Sequence, residues 1–192
     1  MLYHLLYPLH TYHTIFNVFQ YITFRTIYAI ITALVLSFIL GPYIIRKLSL
    51  MQVGQIIRKD GPPNHMSKEG TPTMGGTLII FAVIIPTLLW ANLTNLYVWL
   101  LIITTLGFGT IGFIDDYTKL VKKNSEGLLP RYKLLWQFFI ALIVAIFLYL
   151  SGFDTNITVP FFKEVRIDLG LFYIPFVVLV IVGASNAVNL TD

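Results

Sequence analysis

Residues 97–119 read YVWLLIITTLGFGTIGFIDDYTK, an apolar run that ends in two aspartates and a lysine. The apolar part, 97–114, is continuous rather than alternating, and a helix of that length crosses a hydrocarbon core of roughly 30 Å. Because lipid offers no water to backbone groups, only helices and closed barrels span it. The stretch therefore predicts a transmembrane helix with carboxylates at one end.

The remainder of the chain has the same character. Its 192 residues are 57% hydrophobic and 11% charged, with a mean hydropathy of +0.79, far from the balance of a soluble domain. We expect an all-α polytopic membrane protein in which 1–192 is a single membrane domain. Its helices are predicted near 21–40, 73–90, 97–114, 132–150 and 171–184. Pro86 and Pro175 should kink two of them unless neighbouring groups satisfy the freed carbonyls. Gly107, Gly109 and Gly112 should allow close helix packing.

Basic residues concentrate in two of the connections, which predicts the orientation because cytoplasmic loops carry an excess of Lys and Arg. One connection holds Arg46, Lys47, Arg58, Lys59 and Lys68, and the other holds Lys119, Lys122, Lys123, Arg131 and Lys133. The N-terminus is therefore expected in the periplasm and these two loops in the cytoplasm. The same rule accounts for the net charge of +4, so no nucleic-acid partner is predicted.

The aspartate pair, Asp115 and Asp116, is the sharpest candidate for a functional site. Ionisable residues at the edge of a membrane span are costly, and Mg²⁺ prefers one or two carboxylates together with phosphate oxygens. Nearby lysines would supply the positive charge that a diphosphate needs. The alternative is that the two carboxylates only mark the end of the span at the water interface.

Two further polar stretches fall on the same predicted face. IRKDGPPNHMSKEGTPTMGG, residues 57–76, offers glycines for close backbone approach and threonines as donors to an anion, although an ordinary solvated turn has similar composition. In NAVNLTD, residues 186–192, the polar side chains of Asn186, Asn189 and Asp192 lie three apart, on one face of a helix. Together the three stretches suggest a phosphorylated substrate handled with Mg²⁺.

The stretches DGPPNHMSKEGTPTMGG, IGFIDDYTK and NAVNLTD closely resemble the signature sequences of bacterial phospho-N-acetylmuramoyl-pentapeptide transferases, the MraY family of polyprenyl-phosphate sugar-1-phosphate transferases. The resemblance implies that the chain is the N-terminal half of a ten-helix, multi-pass enzyme of the bacterial cell inner membrane. A homodimer is a further expectation for such an enzyme. Such enzymes transfer phospho-MurNAc-pentapeptide from UDP-MurNAc-pentapeptide to undecaprenyl phosphate in the membrane lipid, giving lipid I and UMP with Mg²⁺.

The resemblance also implies roles for individual residues. The catalytic residues would be Asp115, Asp116, Lys119 and Lys133, with the two aspartates as metal ligands. The substrate-binding residues would be Lys68, Thr73, Asn186, Asn189 and Asp192.

Beyond its last motif the family continues with five further helices, which bring a third catalytic aspartate. The 192 residues alone are therefore expected to lack a complete metal site. Two rivals follow from the sequence: a truncated, non-catalytic membrane fragment that at most binds substrate, and a transporter or channel. The second is less favoured because transporter sites lie near the bilayer midplane, whereas these polar residues cluster at one face.

Overall fold

The computed structural model describes residues 1–50, 74–122, 127–159, 161–162 and 165–191. The chain divides into two compact units, Met1–Leu128 and Leu129–Asp192. Both units consist mainly of apolar helices that pack on their neighbours in the sequence. The prediction of a single membrane domain over 1–192 stays a prediction.

The described part of the first unit contains six helical elements. They are α1 (Leu2–Leu6), 3-10 helices at Tyr7–Thr11 and Thr14–Gln20, α2 (Ile22–Leu50), α3 (Gly76–Trp90) and α4 (Leu96–Lys122). Helix α3 packs on both α2 and α4. A Cβ added at Gly109 of α4 would overlap the Ile80 side chain of α3, whereas one added at Gly112 would meet nothing within 4 Å. Of these two glycines, only Gly109 is therefore needed for the packing of described helices.

Aromatic and polar contacts join the C-terminal end of α3 to the segment before α2 and to α2 itself. The Phe19 and Trp90 rings stack with centroids 6.3 Å apart, and Trp90 Nε1 donates a hydrogen bond to Thr32 Oγ1 at 2.9 Å. The Leu93 N–H donates to His4 Nε2 at 3.0 Å. The N-terminal aromatic and histidine side chains therefore serve packing and backbone hydrogen bonding in this unit.

The second unit is a helix pair joined by a short hairpin. Its elements are α5 (Pro130–Leu150), β1 (Asn156–Thr158), β2 (Arg166–Asp168), a 3-10 turn at Gly170–Phe172 and α6 (Tyr173–Thr191). The strands are antiparallel, with Ile157 opposite Ile167. The helices bury small and branched side chains, which are Ala141, Val144, Ala145, Val177 and Val178.

Among the described residues, four stretches are long and apolar enough to cross a membrane: α2, α4, α5 and Gly170–Asn189. Helix α3 is also apolar but has 15 residues, about 22 Å at 1.5 Å per residue. Large apolar side chains project outward from these helices, as with Phe38 at 77% and Leu179 at 70% exposure. Since water would make such exposure unfavourable, the arrangement suits hydrocarbon surroundings. The predicted polytopic α-helical class is confirmed, with the hairpin as an unexpected addition.

Two helix boundaries differ from the sequence expectation in ways that matter for the site. Helix α4 continues to Lys122, eight residues past the end of the apolar run at Ile114, so that the aspartate pair lies within the helix. Helix α6 begins at Tyr173, which places Pro175 in its first turn. A first-turn N–H has no intrahelical acceptor, so Pro175 costs no hydrogen bond, and the expected mid-helix kink at this residue was wrong.

A polar contact crosses the α5–α6 interface. Asn186 Nδ2 donates to Gln137 Oε1 at 2.7 Å and also to its own helix at Val182 O, 2.8 Å away. Gln137 is only 4% exposed. A buried amide in an apolar interface needs such a partner, so this bond fixes which faces of the two helices meet.

We predict that Gln137→Leu and Asn186→Leu are energetically coupled. Each single variant leaves the other amide without its partner, whereas the double variant removes both. Interhelical hydrogen bonds in membranes contribute about 0.6 kcal/mol on average, which is the coupling expected from a double-mutant cycle of unfolding in detergent by SDS titration. Strictly additive losses would contradict a hydrogen bond between the two amides.

The hairpin is stabilised by two exposed aspartates. Asp154 accepts from the N–H and the side-chain amide of Asn156, and these bonds lower the pKa of Asp154. Asp168 accepts from the Thr155 hydroxyl and the Gly170 N–H, which lower the pKa of Asp168 in the same way. These hydrogen bonds therefore stabilise the ionised form of each carboxylate more than its protonated form.

A pH dependence of the hairpin follows. A carboxylate with a depressed folded-state pKa stabilises the fold above its ordinary pKa, and that contribution is lost as the pH falls through the depressed value. We expect amide hydrogen exchange of residues 153–159, corrected for intrinsic rates, to accelerate below about pH 4. The double variant Asp154→Asn, Asp168→Asn should show a flatter profile, and an equally steep one would contradict the assignment.

Candidate functional site

The aspartate pair lies near the C-terminal end of α4, where adjacent positions point about 100° apart and meet different surroundings. The Asp115 side chain is 13% exposed and the Asp116 side chain 33% exposed. Two chemically identical neighbours are therefore placed differently, one packed against the protein and the other partly open.

Lys119 connects the two carboxylates. Its Nζ lies 2.7 Å from Asp115 Oδ2 and 3.3 Å from Asp116 Oδ1. Positions three and four residues apart share a helix face, so one lysine reaches both aspartates only if the helix continues through Lys119. Its charge offsets part of the repulsion between the carboxylates and also suits the negative end of the helix dipole. The lysine predicted to face phosphate is thus held beside the aspartate pair.

A backbone group completes the surroundings of Asp115. The Leu128 N–H, thirteen residues further on, donates to Asp115 Oδ1 at 2.8 Å. Each oxygen of Asp115 therefore has a donor. No described residue donates to Asp116 Oδ2, so Asp116 offers the more accessible lone pairs of the two.

The carboxylate oxygens of Asp115 and Asp116 are candidate ligands for a divalent cation. Carboxylate oxygens are the ligands that Mg²⁺ prefers, usually one or two with phosphate oxygens and water. Within the described ranges, no group of three or more His, Cys, Asp or Glu side chains gathers around one point. The pair thus fits a cation that takes one or two protein ligands here and the others from substrate, water or residues outside the described ranges.

Lys133 lies in the first turn of α5 and is half-buried. It makes no ion pair with any residue that the structure describes, so its ammonium group is available to an anion. Gln137 follows one turn later on the same face. Sequence reasoning missed Gln137, although a single glutamine inside the apolar run 134–150 was a signal for it.

The predicted polar stripe of α6 divides into residues with different surroundings. Asn186 uses both protons of its amide on Gln137 and Val182, so it serves the helix interface, while its oxygen has no described donor. Asn189, three residues on, is exposed. Asp192 lies outside the described residues, as do Lys68 and Thr73.

An apolar groove of about 600 Å³ runs beside the α5–α6 contact, with Asn186 as the polar member of its lining. The apolar side chains in its wall include Leu134, Phe138 and Val182. A ligand in this groove would meet hydrocarbon along most of its length and an amide at one point.

The sequence was compared with known families and proteins. Residues 98–192 match the family model described as glycosyl transferase family 4, and residues 68–80 match phospho-N-acetylmuramoyl-pentapeptide-transferase signature 1. The first match includes Asp115, Asp116 and Lys119, and the second includes Lys68 and Thr73. The matched residues are thus those that carry the candidate site.

Curated relatives are similar along the entire chain. It is 58% identical to the phospho-N-acetylmuramoyl-pentapeptide-transferase of Citrifermentans bemidjiense, 60% to that of Syntrophus aciditrophicus and 59% to that of Desulfatibacillum aliphaticivorans. In each case the alignment covers 100% of this chain and 54% of the relative. The chain thus spans about half the length of these relatives and aligns with their N-terminal half. On the two family matches and this identity, the chain belongs to the phospho-N-acetylmuramoyl-pentapeptide transferase family.

Proposed function

We propose that these 192 residues supply the aspartate-pair half of the active site of a phospho-N-acetylmuramoyl-pentapeptide transferase. The enzyme transfers phospho-MurNAc-pentapeptide from UDP-MurNAc-pentapeptide to undecaprenyl phosphate and releases UMP. The observation that carries the proposal is the Asp115–Asp116 pair linked by Lys119 at the end of an apolar helix. This location suits a reaction between a water-soluble nucleotide and a membrane-bound phosphate.

In phosphoryl transfer the protein contributes mainly by positioning the reactants and by stabilising charge. An oxygen of the lipid phosphate forms a bond to the phosphorus attached to the sugar, and the bond from that phosphorus to the bridging oxygen breaks, so UMP leaves. Because phosphoryl transfer spreads negative charge over the phosphoryl oxygens, nearby cations favour it. The half-exposed Asp116 is placed to accept a proton from the attacking phosphate, while Lys119 balances the pair. Attack through a phosphorylated aspartate is the alternative route.

A divalent cation belongs to this proposal. Asp115 and Asp116 are the residues that would hold Mg²⁺, which when bound polarises phosphate oxygens and neutralises their charge. The ammonium group of Lys133, which pairs with no described carboxylate, suits a phosphate of either substrate. Lys68, Thr73, Asn189 and Asp192 are proposed as contacts to the nucleotide, together with the oxygen of Asn186. The bacterial inner membrane is the proposed location, and a homodimer the proposed assembly.

The proposal is tested in a full-length hybrid that joins this chain to the C-terminal half of the Citrifermentans bemidjiense relative. In detergent with Mg²⁺, undecaprenyl phosphate and UDP-MurNAc-pentapeptide, the hybrid should release UMP. Asp116→Asn keeps the size of the side chain but removes the charge, and it should lower kcat by about 100-fold or more. UMP is measured by chromatography after equal amounts of folded protein are confirmed.

Asp154→Asn in the hairpin provides the matched control, because it makes the same chemical change in the other compact unit. Its kcat should stay close to that of the unsubstituted hybrid. Near-normal turnover by Asp116→Asn, or a hybrid that releases no UMP while its Citrifermentans bemidjiense parent does, would contradict the proposed function.

A further inference from the structure

The backbone at Gly127 and Leu128 lies directly against the buried member of the aspartate pair. The Leu128 N–H donates to Asp115 Oδ1 at 2.8 Å. Asp115 is on α4, and the two residues that contact it lie just before α5 begins at Pro130. The surroundings of Asp115, a predicted catalytic residue, therefore depend on two residues outside its own helix.

Glycine at position 127 is required by space. A Cβ built on Gly127 would lie 2.8 Å from both Asp115 Cγ and Lys119 Cε, and closer still to Asp115 Oδ1. Contacts under 3.0 Å are essentially never seen for real Cβ atoms, so any side chain here would move the carboxylate or the loop. Gly127 is not among the described glycines with positive φ, which are Gly152 and Gly170. Its role is therefore close approach rather than an unusual backbone conformation.

The two edges of the Asp115 carboxylate are held by different groups. The Leu128 N–H binds Oδ1, and Lys119 Nζ binds Oδ2 at 2.7 Å. Two directional contacts on opposite oxygens fix the rotation of the carboxylate, and hydrogen bonds to an ionised group are the stronger kind. Among the described residues, Asp116 has one polar side-chain partner, Lys119, at the longer distance of 3.3 Å.

We propose that Gly127 and Leu128 are positioning residues that hold the Asp115 carboxylate in a fixed orientation against Lys119. This arrangement, the Asp115 lock, leaves Asp116 as the more mobile, reactive member of the pair. The structural part of this inference stands on contacts alone. Its catalytic consequence rests on the proposed function. The missing side chain at Gly127 lets the backbone approach Asp115 closely, and the Leu128 N–H then holds Asp115 Oδ1. Lys119 stays oriented toward both aspartates.

The lock is tested first without any activity measurement. The 192-residue chain in detergent is treated with a water-soluble carbodiimide and an amine, and labelling of the two aspartates is followed by peptide mass spectrometry. Asp115 should be labelled more slowly than Asp116. Gly127→Ala should raise the Asp115 rate by about tenfold, the factor that loss of one hydrogen bond to a charged group implies, with little change at Asp116.

Matched controls separate the lock from general loosening. Gly112→Ala, one turn before Asp115 on the same helix, introduces a Cβ with nothing within 4 Å and should leave both rates unchanged. Leu128→Pro removes the N–H donor and should mimic Gly127→Ala, whereas Leu128→Ala keeps the donor and should not. If Gly127→Ala fails to fold, the pair of Leu128 variants gives the same answer.

The catalytic consequence is measured in the full-length hybrid. A misplaced catalytic group costs about 10- to 100-fold in rate, so Gly127→Ala should lower kcat by that factor with KM for UDP-MurNAc-pentapeptide within about threefold. Unchanged labelling of Asp115 in Gly127→Ala and Leu128→Pro would overturn the lock, whatever the activity. Increased labelling with full activity would overturn its catalytic role. Retained activity in Asp116→Asn would instead count against the proposed function.

Discussion

The ion pairs of Lys119 with two adjacent aspartates constrain the C-terminal part of α4 and the Gly127–Leu128 backbone that contacts it. Two carboxylates side by side repel each other. A lysine placed three and four residues further on offsets this repulsion without help from another element. This geometry requires the helix to continue beyond the apolar run as far as Lys119, and α4 does so, since it extends to Lys122.

The shared lysine does not make the aspartates equivalent. Asp115 is packed against the Gly127–Leu128 backbone, while Asp116 stays partly open and has one oxygen without a described donor. Pairs of titratable groups in different surroundings commonly divide the work of an active site, because the environment sets which group holds its place and which exchanges protons or ligands. The difference between the two neighbours would give them distinct roles in the proposed phosphoryl transfer.

The second unit places its polar groups by another rule, that of hydrogen-bond satisfaction in apolar surroundings. Gln137 and Asn186 meet across α5 and α6, so an amide that the sequence suggested for substrate is also part of the helix interface. Lys133 is one turn from Gln137 on α5, and Asn189 is one turn from Asn186 on α6. The amide pair therefore fixes the relative position of two side chains that are proposed to bind substrate.

Hydropathy alone was sufficient to predict the class of this protein and four of its long helices, because lipid forces any continuous apolar segment of that length to become a helix. The spacing of the aspartates and Lys119 likewise follows from the helical repeat. Three features needed the tertiary structure: the contact of Gly127 with Asp115, the partner of Asn186, and the first-turn position of Pro175. The first two depend on where a second segment of the chain lies, and the third depends on where a helix begins. The local pattern of residues does not encode these positions.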